Sequence, residues 1–143
     1  MPATHPLAEA RAWLTLLRTP GLGPAGIRKL IAEHRAPQAA VAAAMRDADE
    51  EARVWLRAPD ESILAGDLAW LDDPHHHFVT IADEDYPALL RNGQNPPAAL
   101  FVVGDPTLLW SPQIAIVGSR RATAGGLDNA RNSRAPSRAR ATW

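Results

Sequence analysis

Residues 113–123 read QIAIVGSRRAT. Ile114, Ala115, Ile116 and Val117 form a continuous apolar run with β-branched members, the pattern of a strand covered on both faces of a parallel sheet. The strand is expected to end at Gly118, where the lack of a Cβ lets a ligand approach the backbone. Ser119 then offers a hydroxyl and an amide to a phosphate oxygen, and Arg120 and Arg121 add planar, permanently charged forks suited to two-point phosphate contact. The stretch reads as an anion cradle at the end of a sheet strand; taken in isolation it reads equally well as a plain turn.

Two absences narrow the ligand. No G-x-G-x-x-G follows the strand and no G-x-x-x-x-G-K-[ST] occurs anywhere, so the dinucleotide fingerprint and the nucleoside-triphosphate loop are both missing. Phosphate binding without a nucleotide cofactor is what remains. The chain has 143 residues and no cysteine, which excludes disulfides, thiolate metal sites and cysteine catalysis. Its N-terminus lacks the apolar core of a signal peptide, and no stretch approaches the ~20 apolar residues of a membrane span. A cytoplasmic protein is the expectation. The net charge of −1 hides an asymmetry: residues 1–119 carry 9 Lys+Arg against 15 Asp+Glu, and residues 120–143 carry 6 against 1.

Upstream, Leu7, Ala10, Leu14 and Leu17 recur at helical spacing, with Trp13 and Leu16 widening the stripe. Thr19 to Ile31 read TPGLGPAGIRKLI. Gly21 and Gly23 bracket Leu22, Pro24 suits a first helical position, and Ile27, Leu30 and Ile31 resume a helical face. This resembles a helix-hairpin-helix, in which a glycine-rich hairpin gives backbone amides to a nucleic-acid phosphate. Arg28 and Lys29 are the nearby phosphate partners, and a tight turn between two core helices is the alternative. Gln38 to Met45 is helical by propensity. Asp47, Asp49, Glu50 and Glu51 read as a solvated helix start rather than a metal site, and two further helical faces follow on either side of Pro59.

From residue 73 the pattern changes. His75, His76 and His77 are adjacent, so their side chains diverge in a helix or a strand and do not converge on one ion; no metal site is expected. Phe78, Val79 and Ile81 read as a short strand, Asp83 to Pro87 as a turn, Leu89 and Leu90 as a helical turn, and Leu100 to Val103 as a second strand. Asp83 and Asp85 fit turn formation better than a catalytic carboxylate pair, and no nucleophile and base stand out.

Three segments in this order, DEDYPALL, NPPAALFVVGDP and IAIVGSRRAT, resemble the start of the Rossmann-like domain of the DNA-processing protein A family, also called Smf. The segment with TPGLGP is similar to the N-terminal domain that precedes it in many members. The resemblance implies an α/β fold class: a small helical domain (SAM-like, helix-hairpin-helix-like) over residues 1–72, then an incomplete Rossmann-like domain over 73–131. It implies single-stranded DNA as ligand, the RecA recombinase as partner, a role in natural transformation, no enzymatic activity and no cofactor. By position, Gly118, Ser119 and Arg120 fall where the family holds the DNA backbone, and Arg121 and Thr123 also match its pattern. Self-association in the family is expected to involve parts that this chain lacks.

After about Arg131 the resemblance stops. Asn132 to Arg140 has no apolar residue larger than alanine and is broken by Pro136, so residues 132–143 read as a disordered basic tail. The expectation is a product truncated within its α/β domain, exposed or poorly ordered from about residue 107 onward. Two other function classes stay open. Rossmann-like phosphoribohydrolases acting on nucleoside monophosphates share the Gly-Ser loop, although the P-G-G-x-G-T loop they need is absent. A helical interaction module with an inert tail is the other.

Overall fold

The computed structural model describes residues 5–112 and 117–134. Among these residues the chain opens with helices α1 (Leu7–Leu17), α2 (Pro24–His34), α3 (Pro37–Asp47), α4 (Glu50–Arg57) and α5 (Glu61–Leu71). Strand β1 (His76–Thr80), short helix α6 (Ala88–Arg91), strand β2 (Ala99–Val103), a 3-10 turn over Pro106–Trp110 and helix α7 (Ala124–Arg134) follow. The fold is a helical N-terminal domain followed by the start of an α/β domain. The chain divides into two compact units between Ser111 and Pro112.

The helix starts follow from local chemistry. Pro24 and Pro37 open α2 and α3, where a fixed φ suits the first helical position and a missing N–H costs nothing. Asp49 caps α4 by accepting the Ala52 N–H at 2.9 Å, and Asp60 caps α5 by accepting the Ser62 N–H at 2.8 Å. The acidic run from Asp47 to Glu51 is therefore a helix boundary, with its carboxylates near the positive end of α4's dipole. Between α1 and α2, Gly21 takes φ +69°, a left-handed conformation that favours glycine. A Cβ on Gly26 would meet Leu22 Cδ1 at 2.8 Å, so its absence lets the middle residue of the hairpin fold down onto α2.

Helices and strands share one core. Trp13 and Leu16 of α1, only 1% and 0% exposed, belong to the same cluster as Ile27, Ile31, Ala40 and Leu56 from the helices and Phe78 and Ala98 from the sheet region. The small Ala40, Ala43 and Ala44 face inward and let α3 sit close to α1 and α2. Each fully buried large side chain here contributes about 1.5–3 kcal/mol. Outside the core, Arg18 holds Asp67 through two hydrogen bonds of 2.9 and 2.6 Å, and Arg11 pairs with Glu61, which ties α1 to α5 at an exposed seam. Such pairs contribute less than about 1 kcal/mol each.

Strands β1 and β2 pair antiparallel in the register His76↔Val103, Phe78↔Phe101 and Thr80↔Ala99. The turn after β1 is built by DEDYP. Asp83 accepts the Thr80 N–H at 2.6 Å and the Tyr86 N–H donates to Asp83 O at 3.1 Å. Tyr86 is fully buried and its hydroxyl donates to Pro97 O at 2.8 Å, which fastens the turn to the loop before β2. Burial pushes the Tyr86 phenol up, so it stays a donor. Asp83 is thus a turn-forming residue, as its place beside Tyr-Pro suggests.

In the second unit, α7 runs to Arg134, three residues into the stretch that the sequence assigns to a basic tail. Arg131 pairs with Asp128 at 3.1 Å and the Ser133 hydroxyl donates to Asn129 O at 2.9 Å, both within the helix. Most of the strand read from Ile114 to Val117 lies outside the described residues; Val117 itself is in no strand and is 90% exposed.

Candidate nucleic-acid interface

The second unit brings the cradle residues together on one loop. Gly118, Ser119, Arg120 and Arg121 are all exposed. The Ser119 hydroxyl accepts the Arg121 N–H at 3.1 Å, which curls the loop back on itself. Two residues on, Thr123 caps α7: its hydroxyl accepts the Gly126 N–H at 3.2 Å and its carbonyl accepts the Leu127 N–H at 3.0 Å. The loop thus leads directly into a helix N-terminus, where unsatisfied amides and the helix dipole favour an anion.

Loop and helix enclose an open concavity of about 620 Å³. Gly118, Ser119 and Arg121 form its wall on the loop side; Arg120 stands outside that wall. Neither guanidinium has a partner among the described residues. Asn129 and Ser133 complete the helix side, and they are the residues that the motif reading missed. Their signal was available in the sequence, because Gly126, Asn129, Ala130 and Ser133 follow the i, i+3, i+4, i+7 spacing of one helical face. The Arg121 cation, a hydroxyl and a helix N-terminus around an open depression, with Arg120 exposed next to it in the chain, can take a phosphodiester backbone with its bases left outside.

The hairpin residues are arranged differently. Arg28 donates to Asn95 Oδ1 at 3.1 Å and to Pro96 O, so its charge serves the loop before β2. Lys29 lies 4.0 Å from Glu33. Gly21 faces Asp49, whose Oδ2 would be 3.8 Å from a Cβ placed there, and Gly23 is the residue before α2. A concavity of about 290 Å³ beside the hairpin includes Lys29 together with Glu33, Asp47 and Asp49.

Comparison with known proteins places these elements in one lineage. A model described as DprA-like N-terminal HHH domain matches residues 7–59, which contain the hairpin. A model described as DNA recombination-mediator protein A matches residues 77–140, which contain DEDYP, β2 and the Gly-Ser-Arg loop. The chain belongs to the DNA recombination-mediator protein A family. Among curated proteins, Protein Smf of Escherichia coli (strain K12) is 41% identical over 70 residues, covering 49% of this chain and 18% of that protein. The chain therefore spans less than a fifth of this relative in the matched region. No solved structure matches it. The family match runs to residue 140, beyond the point near Arg131 where the motif resemblance stops.

Two further groups are positioned without belonging to the cradle. His76 stacks on Trp70 with ring centroids 3.8 Å apart and its Nδ1 lies 2.7 Å from Trp70 O, while His75 is exposed. Among the described residues no group of His, Asp and Glu is placed to hold a metal ion, and no helix is long and apolar enough to cross a membrane. His5 sits between two carboxylates, with Nδ1 3.2 Å from Glu9 and Nε2 3.0 Å from Asp83. Both ring nitrogens can donate only in the imidazolium form. The hydrogen bond to Asp83, opposed by burial, raises the His5 pKa above its ordinary value. Burial alone would push the Asp83 carboxyl up, but the hydrogen bonds from His5 and Thr80 outweigh it and hold the carboxyl below its ordinary range.

Proposed function

We propose that this chain binds single-stranded DNA by its sugar-phosphate backbone through Gly118, Ser119, Arg120 and Arg121. It acts as a cytoplasmic binding protein without a catalytic step or cofactor, and the strand it holds is passed to the RecA recombinase. The observation that carries the reading is the Arg121 guanidinium, without a partner among the described residues, lining one concavity with the Ser119 hydroxyl and the capped N-terminus of α7, next in the chain to the exposed Arg120. Family membership supports it, since the family's description is that of a recombination mediator. Backbone contacts are insensitive to base sequence, which suits a protein that must hold any incoming strand.

The test is a titration of a fluorescent oligo-dT with the whole chain at several salt concentrations. Each single-strand phosphate neutralised contributes about −0.7 to the slope of log affinity against log salt, so Arg120→Ala with Arg121→Ala is expected to flatten it by about 1.4. An unchanged affinity and slope in the double variant would remove the loop from the interface. RecA transfer is checked by whether the chain, and not the double variant, speeds RecA filament formation on the same oligonucleotide.

A further inference from the structure

The concavity beside the glycine hairpin has an apolar floor and an acidic rim. Leu22 and Leu30 are half-buried and Leu56 is buried along its floor, and Glu33, Asp47 and Asp49 stand around it with Lys29 as the one cation. Lys29 lies 4.0 Å from Glu33 with both side chains largely exposed, so one cation faces the carboxylates of Glu33, Asp47 and Asp49 and the rim stays acidic. Asp47 is also the last residue of α3, where carbonyls without helical partners already carry partial negative charge. The positive end of α4 is at the same place but is taken by Asp49, whose Oδ1 caps it. Arg28, the cation that could have offered a phosphate a contact from α2, is held by Asn95 and Pro96.

A hairpin in this setting repels a phosphodiester and attracts a cation that has an apolar neighbour. We propose that the hairpin groove is a docking site for a basic protein segment that places an arginine or lysine against Asp47 and Glu33 and an adjacent apolar side chain over Leu22 and Leu30. A volume of about 290 Å³ accommodates one long side chain and part of a second, so the site reads a short motif rather than a whole domain. Charge complementarity selects this occupant. The ordinary use of such a hairpin, backbone amides to a DNA phosphate, puts a second anion beside Asp49. The proposal is independent of the 118–121 loop, which lies in the other unit.

The experiment uses the whole chain and two labelled peptides, one alternating Leu and Arg and one with Glu in place of each Arg, with oligo-dT as a third probe. Affinity is read by fluorescence anisotropy and location by amide chemical shifts. The Arg peptide is expected to bind, to move the amides of Gly21, Leu22 and Ala48, and to lose at least tenfold in affinity in Glu33→Gln with Asp47→Asn. Both substitutions are at exposed positions and leave the Asp49 cap in place, and an unchanged thermal midpoint shows that the variant is folded. The proposal is overturned if the Glu peptide binds as well as the Arg peptide, if neither binds, if the variant keeps full affinity, or if oligo-dT is what moves the hairpin amides.

Discussion

Replacing Phe78 by alanine should destabilise the helices as much as the sheet to which it belongs. Phe78 is 6% exposed on β1, yet it lies in the cluster that holds Trp13, Leu16, Ile27 and Ile31. Its ring is 5.1 Å from Phe101 across the strand pair and 5.5 Å from His5. Truncating a buried phenylalanine costs about 3–5 kcal/mol, which already includes transfer and cavity terms. With an m-value of about 2 kcal/mol/M, a loss of about 4 kcal/mol lowers the urea midpoint by about 2 M. The assay is urea unfolding followed by far-ultraviolet dichroism, which reports α1 to α5, alongside amide resonances of β1 and β2. Both probes are expected to shift together. If the alanine chain is unfolded outright, Phe78→Leu gives the same comparison with a smaller cavity. Helices that keep the wild-type midpoint while the strand resonances are lost would refute a shared core.

Other expectations follow from single contacts. His5 has a raised pKa, so its contribution is complete below about 6.5 and is lost as pH rises through the raised value. Asp83 has a lowered pKa, so its contribution is present above about 3.9 and is lost as pH falls through the lowered value. Thermal midpoints should therefore be highest in the weakly acidic window between them, and His5→Gln should abolish the loss on the alkaline side; a wild-type profile in that variant would show that His5 is not the group involved. Tyr86→Phe removes the donor to Pro97 O and should cost about 1–2 kcal/mol, roughly 4 °C in melting temperature, with little change in helix content. Gly21→Ala should cost about 1 kcal/mol because of its positive φ, and Gly21→Asn less, a difference readable in chemical denaturation.

Much of this architecture was legible in the chain, for reasons that differ by element. Helix α1 was readable to the residue because its apolar stripe is regular, and the start of α4 and its break from α5 because the acidic run at Asp49 and the breaker Pro59 mark them locally, whereas the Asp60 cap of α5 came from the structure. The shared core was not legible. It depends on Phe78 and Ala98 meeting α1 and α2 from far along the chain, and periodicity carries no information about which faces meet. The same holds for the clasp of His5 on Asp83, which joins groups 78 positions apart. At the cradle, residue types pointed to Gly118 through Arg121, and the structure added the Thr123 cap and the α7 face with Asn129 and Ser133. At the hairpin, the glycine spacing was legible, but the carboxylates around it come from α2, α3 and the α4 cap, and only the fold brings them together.

The loop after Val117 is proposed to hold a sugar-phosphate chain. Its most direct test is an amide chemical-shift map of the whole chain during titration with oligo-dT at low salt. The largest shifts are expected at Gly118, Ser119, Arg120 and Arg121 and in the first turn of α7, fading as salt is raised. Shifts confined to other parts of the chain, or none at saturating oligonucleotide, would contradict it.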